Sequence, residues 1–432
     1  MFPKSHQLSD QLRSLVPSGA HAFSKAADQW PACSPRMLSH GKGAWVWDID
    51  GNRYVDWFTG LTTVSLGHAY PTVIERVAAQ LAQGQNFQLP TALEYTAART
   101  FLDTIALAEM VKFAKDGSTV NDAALRLARA YTGRSYVAKC RDQPFFSYGD
   151  WFIGKTRCNN GILPEAYQYT LEFPYNDLEY LERLFATYSE QIAAVIVEPV
   201  RFDRPQPGFL EGLRDLCTRE GALLIFDEVV TGMKYHLNGA QAMFGVQPDL
   251  TTWGKGIANG FALSALTGPR AIMDLGDTTQ HDGTRIFLLS STHGGESSSL
   301  AAMIATVETF AAHDLIGQNY ACGRQLREQG MTILAEYGIA EQVEFIGYDC
   351  FLAMKYRDAQ GAESRAFRTL FFQELVKHGV LFRGIFYPTV SHRDTELDAT
   401  LAAFRRAAET YRAALEQGVE RYLVGPPIEP VL

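Results

Sequence analysis

The pattern of apolar and polar positions divides the chain into three stretches. Up to residue 70, a short amphipathic helix over residues 1–20 ends at Val16-Pro17-Ser18-Gly19, and Ala44–Phe58 alternates about Asp50-Gly51, which predicts a β-hairpin. From residue 71 to 322, helical periodicity over Thr72–Gln83 and Leu93–Leu107 gives way to short apolar runs separated by helical ones. The run Leu223–Phe226 is too short for a buried helix and fits a buried strand; Ser135–Cys140, the run from Ala193 that ends in the carboxylate of Glu198, and a short run from Val111 leading into Gly117 read as strands as well. Strands alternating with helices predict an α/β domain with a mostly parallel sheet. From residue 323 to 432 the pattern becomes α+β: a long helix, short strands at Val343–Ile346 and Cys350–Lys355, and a final helix over Leu397–Gly418. Three segments follow: an N-terminal one (1–70), a large domain (71–322) and a small C-terminal domain (323–432).

Chemistry gathers at the end of one of these runs. Asp227 and Glu228 close Leu223–Phe226, and functional groups collect at the C-terminal ends of strands in open α/β sheets. Further along, Lys255 stands between Gly254 and Gly256. A strand-end carboxylate plus a lysine in a tight glycine turn is what pyridoxal 5'-phosphate needs. The lysine amine forms a Schiff base with the cofactor aldehyde, and the carboxylate keeps the pyridine nitrogen protonated. Each piece alone has a plainer reading. An Asp-Glu pair often opens a solvated loop, and Gly-Lys-Gly is often a surface turn, as Gly41-Lys42-Gly43 is read here. Gly117-Ser118-Thr119, between a strand and a helix, is an anion site at a helix N-terminus or an ordinary Ser/Thr cap.

Taken together, DEVVTG at 227–232 and PDLTTWGKGIANGFALSAL at 248–266 resemble the signature of the class III (ω-type) aminotransferases, and most of all the glutamate-1-semialdehyde 2,1-aminomutase-like proteins among them. Leu66–Pro71 matches the family's LGHxxP and Val197-Glu198-Pro199 its VEP, so the resemblance spans nearly the whole chain. It implies fold-type I architecture: a large domain on a mostly parallel seven-stranded sheet, plus a smaller α+β C-terminal domain. It implies that Lys255 and Asp227 are catalytic, with Gly117, Ser118 and Thr119 on the cofactor phosphate, and Glu198 and Val229 also at the cofactor. Phe145 matches the aromatic that stacks on the cofactor ring, with Phe146 in place of a histidine; both are alternatively core packing. Thr292 matches a residue that reaches the phosphate of the neighbouring subunit, which implies a homodimer with sites at the interface; read alone, its segment is a plain loop leading into a helix.

The substrate side departs from the aminomutase pattern. The PGGVNSPVRAF-like stretch corresponds to Pro17–Ala27, where Ala22 replaces a serine and Lys25 an arginine, and Leu61-Thr62-Thr63 replaces Trp-Gly-Pro. Lysine cannot reproduce a bidentate guanidinium fork. Ser18, His21, Lys25 and Arg383 are the candidate substrate contacts. The expectation is an aminotransferase moving an amino group between an amino donor and a small carbonyl acceptor. The intramolecular aminomutase is the alternative, and a non-catalytic binding protein on the same fold is a third reading, against which the presence of both Asp227 and Lys255 counts.

Composition narrows the partners. With a net charge of −9 and no long basic run, neither nucleic acid nor an anionic membrane is expected. Six scattered cysteines without a CxxC fit a reducing cytoplasm and offer no zinc site. Asp48, Asp50 and Asn52 lack the spacing of a calcium loop, so no metal is expected. The first residues lack an apolar signal core, and no apolar run approaches the roughly 20 residues that cross a bilayer. The expected location is the cytoplasm.

Overall fold

After a helix over Pro3–Leu15, strands β1 (Leu38–Lys42), β2 (Trp45–Asp48) and β3 (Arg53–Asp56) form an antiparallel meander. The β2–β3 turn is closed by Asp48. Its carboxylate accepts from the backbone N–H groups of Asp50 and Asn52, the Asn52 amide and the Tyr54 hydroxyl. Asp48 thus serves the turn, while the Asp50 carboxylate accepts from the backbone N–H groups of Lys4 at 3.0 Å and Ser5 at 2.9 Å, at the start of the first helix. The expected Gly41-Lys42-Gly43 surface turn needs correcting: Gly41 and Lys42 end β1, and only Gly43 turns, at φ 59°. A Cβ on Gly41 would stand 2.7 Å from the His68 ring, so close packing explains that glycine.

The computed structural model describes residues 2–279 and 285–431. Its large sheet is built from β4 (Met110–Ala114), β5 (Tyr136–Cys140), β6 (Thr170–Phe173), β7 (Ile192–Val197), β8 (Leu223–Glu228), β9 (Leu250–Trp253) and β10 (Ser264–Gly268). The seven strands run in the order β4-β10-β9-β8-β7-β5-β6. The five from β9 to β6 are mutually parallel, while β10 is antiparallel to both its neighbours. Every residue of β7 and β8 is buried, which is why these strands read as unbroken apolar runs. The helix over Gly117–Thr132 brings Val120, Ala124 and Leu127 into the same core as Val195 and Ile225. Burying each Val, Leu or Ile side chain is worth about 1.5–3 kcal/mol, enough for the apolar runs to decide the architecture.

Strands β11 (Val343–Tyr348), β12 (Phe351–Tyr356) and β14 (Ile385–Phe386) form a three-stranded antiparallel sheet. Strand β13 (Val380–Leu381) instead pairs in parallel with β3, placing Val380 against Val55. The last part of the chain thus completes the sheet begun by the first. Residues 1–70 and 317–431 accordingly form one unit, and Pro71–Ile316 the other. The first unit is filled by aromatic residues; Trp57, for one, is fully buried and stacks on His392 at 4.1 Å.

Candidate active site

Successive residues of a strand face opposite sides of the sheet, so the two carboxylates at the end of β8 serve different neighbours. Glu228 accepts from the backbone N–H groups of Ala240 (3.0 Å) and Gln241 (2.7 Å) and from the Thr231 hydroxyl. It caps the helix Gly239–Phe244 and is wholly structural in its contacts. Asp227, 3% exposed, takes the Val229 N–H on Oδ1 at 2.9 Å and the Asn121 amide on Oδ2 at 2.8 Å.

Asn121 is fully buried on the helix Gly117–Thr132, and its three polar bonds tie three elements together. Its Nδ2 donates to Asp227 and, at 2.6 Å, to the Phe146 carbonyl; its Oδ1 accepts from the Thr252 hydroxyl at 2.6 Å. Thr252 on β9 is the register partner of Asp227 on β8. The amide thus has one orientation, donor toward the carboxylate. Sequence reasoning missed this residue. The available signal was its place four positions after Gly117, on the same face of the helix.

Lys255 follows β9 in a 3-10 turn, Lys255–Ala258, and sits in the left-handed backbone region at φ 48°. For a side chain of this kind that conformation costs about 1–2 kcal/mol, and strain of this sort clusters at functional sites. Gly254 before it is extended, so its missing side chain is a matter of space: a Cβ there would meet Val229 Cγ1 at 3.2 Å. A Cβ on Gly117 would meet the same methyl at 3.0 Å. Val229 is thereby wedged between the two glycine turns.

Burial pushes the Lys255 amine below its ordinary range, the carboxylates of Glu198 and Asp227 push it back up, and the Arg201 guanidinium pushes it down. Burial and then the Glu198 charge raise Asp227 to about 7, against the hydrogen bonds from Val229 and Asn121 and the charge of Lys255. Glu198, 1% exposed, is fixed just beyond β7 by a double backbone embrace. Gln143 Oε1 accepts its N–H at 2.8 Å and Gln143 Nε2 donates to its carbonyl at 2.6 Å. Its Oε1 meets Arg201 at 3.3 Å, while its Oε2 is buried with no hydrogen-bond partner among the described residues.

At the Gly117 turn the helix cap is Asp116, not a serine or threonine. Asp116 Oδ1 accepts the Thr119 N–H at 2.9 Å, and Oδ2 accepts the Thr119 hydroxyl at 2.9 Å. Thr119 is therefore turned back on its own cap. Ser118 is buried and its hydroxyl accepts from the Tyr148 N–H at 3.1 Å, leaving its own proton to donate. Phe146 is buried, whereas Phe145 is 43% exposed and meets Phe152 edge-on at 5.7 Å. Thr292 lies exposed in the loop before the helix Ser297–Ala312, and its carbonyl accepts from Asn86 at 3.1 Å. Glu296 caps that helix while bonded to Lys115 at 2.7 Å.

The structure therefore brings together Asp227, Val229, Lys255, Glu198, Gly117 and Ser118 in one unit, with Phe145, Thr119 and Thr292 in the same unit. Ser18, His21, Lys25 and Arg383 belong to the other unit. Ser18, His21 and Lys25 are exposed there, while Arg383 donates to the Gln29 carbonyl at 3.1 Å and to its side chain at 2.9 Å.

A family model for class III aminotransferases matches residues 27–407. The chain is 30% identical to a 3-aminobutyryl-CoA aminotransferase of Cloacimonas acidaminovorans, covering 94% of this chain and 96% of that one. It is 32% identical to a glutamate-1-semialdehyde 2,1-aminomutase of Chloroflexus aurantiacus, over 90% and 93% of the two chains. Among solved structures, an omega-transaminase from Sphaerobacter thermophilus superposes with a TM-score of 0.83 at 25% identity, over 95% of this chain and 98% of that one. The Pseudomonas aeruginosa glutamate-1-semialdehyde aminomutase has a TM-score of 0.82 at 22% identity, over 95% of both, and so shares the fold. A lysine in a strained glycine turn, a neutralisable buried carboxylate and a fold-type I sheet thus meet a match spanning most of the chain: it belongs to the class III aminotransferases, which are pyridoxal-phosphate enzymes.

Proposed function

We propose that this chain is an intermolecular aminotransferase that carries its cofactor on Lys255 and moves an amino group from an amino donor to a small carbonyl acceptor. The observation that carries the reading is Lys255 itself: an amine held in left-handed backbone, depressed by burial, under the charges of Asp227 and Glu198. The residues present fit pyridoxal phosphate. Gly117 and Gly254 let Val229 seat between their turns, and the buried Glu198 Oε2, without a hydrogen-bond partner among the described residues, and the raised Asp227 both suit a positive or proton-bearing group.

When bound, the cofactor supplies an electron sink for charge developing at the substrate Cα. Asp227 holds the proton on the pyridine nitrogen, and Asn121 keeps that carboxylate in place. Lys255 takes and returns the proton at the substrate Cα; its lowered amine pKa enlarges the unprotonated fraction available as a general base. The first N–H groups of the helix Gly117–Thr132 and the Ser118 hydroxyl hold the phosphate, with Thr119 bracing the turn through Asp116. Val229 and Phe145 would line the cofactor ring. The enzyme is a cytoplasmic homodimer in this reading, with Thr292 serving the neighbouring site. Leu89 at 77% and Tyr95 at 72% exposure are apolar surface that a partner would cover.

The second reading, the aminomutase, is favoured by the 32% identical relative of that name. Ala22, Lys25 and Leu61–Thr63 argue for the transaminase, because a mutase must hold both ends of a short substrate while the cofactor returns to its starting form. The experiment is to supply glutamate semialdehyde as sole substrate. The proposal expects no efficient conversion and, with amino donors, ping-pong kinetics; efficient formation of 5-aminolevulinate without a donor overturns it.

A further inference from the structure

We propose that Arg201 is the substrate-anion residue of this site, taking a carboxylate on the donor or acceptor by exchanging it for Glu198. The proposal rests on the aminotransferase reading above.

The geometry is that of an incomplete pair. Arg201 follows Glu198 by three residues in the loop beyond β7. One nitrogen, Nη1, reaches Glu198 Oε1 at 3.3 Å, and this is the guanidinium's one hydrogen bond among the described residues. Arginine carries five N–H donors in a planar fork suited to binding a carboxylate through two parallel bonds. Here the fork is engaged on one tine, at the long end of hydrogen-bond distance. On the other side, Glu198 Oε2 is buried without a hydrogen-bond partner among the described residues, so neither member is saturated there.

The guanidinium is also placed to be reached. Its side chain is 26% exposed, while that of Glu198 is 2% exposed, so the cation stands between the buried carboxylate and solvent. Its backbone is anchored, because the Tyr235 hydroxyl donates to the Arg201 carbonyl at 2.5 Å, and the guanidinium lies over the Phe202 ring at 5.5 Å. A fixed backbone with a partly exposed, singly bonded guanidinium suits exchange of one carboxylate for another. The Arg201 charge acts on Lys255, pushing its amine down. Lys115, which stands next to the Asp116 cap, is already committed to Glu296 at 2.7 Å, Ser299 at 3.1 Å and the Ala262 carbonyl at 3.2 Å.

Such a site discriminates by charge. A substrate carboxylate gains two charge-assisted bonds, whereas a neutral isostere leaves Arg201 with Glu198 and gains neither. The preferred substrates are amino acids or oxo acids, in contrast to simple amines or thioesters.

The test is calorimetric titration of the full-length, cofactor-loaded protein with pentanoate and with pentanamide, its neutral isostere. Wild type should bind pentanoate tighter by about tenfold or more. R201Q should lose that preference, R201K should keep only part of it, and E198Q, which removes the competing carboxylate, should bind pentanoate tighter still. In turnover, R201Q should raise KM for a carboxylate-bearing substrate and leave KM for a matched simple amine unchanged. A wild type without preference, or an R201Q or R201K protein of native circular dichroism with undiminished preference, overturns the proposal. Borohydride mapping separates the two levels. Label on Lys255 with an undiminished R201Q preference sinks the proposal alone, while no label on Lys255 in wild type sinks the reading beneath it.

Discussion

The Asn121 side chain donates to Asp227 Oδ2 across 2.8 Å, joining a helix one turn past Gly117 to the end of strand β8. The same amide is locked from behind by the Thr252 hydroxyl and from the side by the Phe146 carbonyl. Asp227 is therefore aimed by a residue with a single allowed orientation, and the site's electrostatics depend on that side chain.

Replacing Asn121 by Ala removes a donor from a buried carboxylate and leaves the Thr252 hydroxyl and the Phe146 carbonyl short of a partner. The expected cost is about 1–3 kcal/mol in stability, read from urea unfolding. Turnover should fall by about tenfold or more through misplacement of Asp227. A stable N121A protein with unchanged kcat would show that the amide does not position the carboxylate.

Asp227 also predicts a pH dependence. Its folded pKa, about 7, lies above its ordinary value of 3.8. Between those values the native cofactor-free chain holds a proton that the unfolded chain has released, so this group's contribution to stability is lost as pH rises from about 4 to about 7. The stability of wild type relative to Asp227→Asn should thus decline across that window, by more than about 1 kcal/mol. Parallel unfolding profiles of the two cofactor-free proteins would contradict this. With cofactor, the same variant should lose turnover by about a hundredfold, because an amide cannot hold the pyridinium charge.

The two glycine turns predict a coupling. A methyl at position 117 presses on Val229 at 3.0 Å, so Gly117→Ala should weaken cofactor retention. Val229→Ala should relieve it, giving a coupling of about 0.5–3 kcal/mol in a double-mutant cycle on cofactor affinity. Additive effects would show that the two residues do not share the cost.

Much of this site was legible in the chain because its parts are local. The all-buried strand β8 declares itself as an apolar run, Asp227 marks its end, and Lys255 is flagged by its glycines. What escaped depends on strand neighbours. Asn121 matters because β8 and β9 are adjacent and in register at Asp227 and Thr252, which no short window of sequence reveals. The Asp116 cap was hidden behind a more familiar glycine-hydroxyl turn, and Arg201 carries no motif. Gly41 likewise looked like a turn residue, whereas its cause is the ring of His68, distant in sequence. The pairing of β13 with β3, which joins the two ends of the chain, has the same non-local origin.

The proposed shared dimer site is tested by complementation. Lys255→Ala and Thr292→Ala chains should each be inactive or nearly so. Mixed dimers should regain activity, because one of their two sites holds both native residues. No recovery in hybrids whose formation is confirmed by mass would exclude sharing through Thr292.

The central claim is that Lys255 bears the cofactor, and peptide mapping after borohydride reduction of the pyridoxal-phosphate-loaded protein tests it most directly. The reduced adduct should sit on the peptide containing Thr252-Trp253-Gly254-Lys255, with no other lysine labelled to a comparable extent. Label on Lys139 or Lys234 in its place, or no stable label at all, would contradict the account.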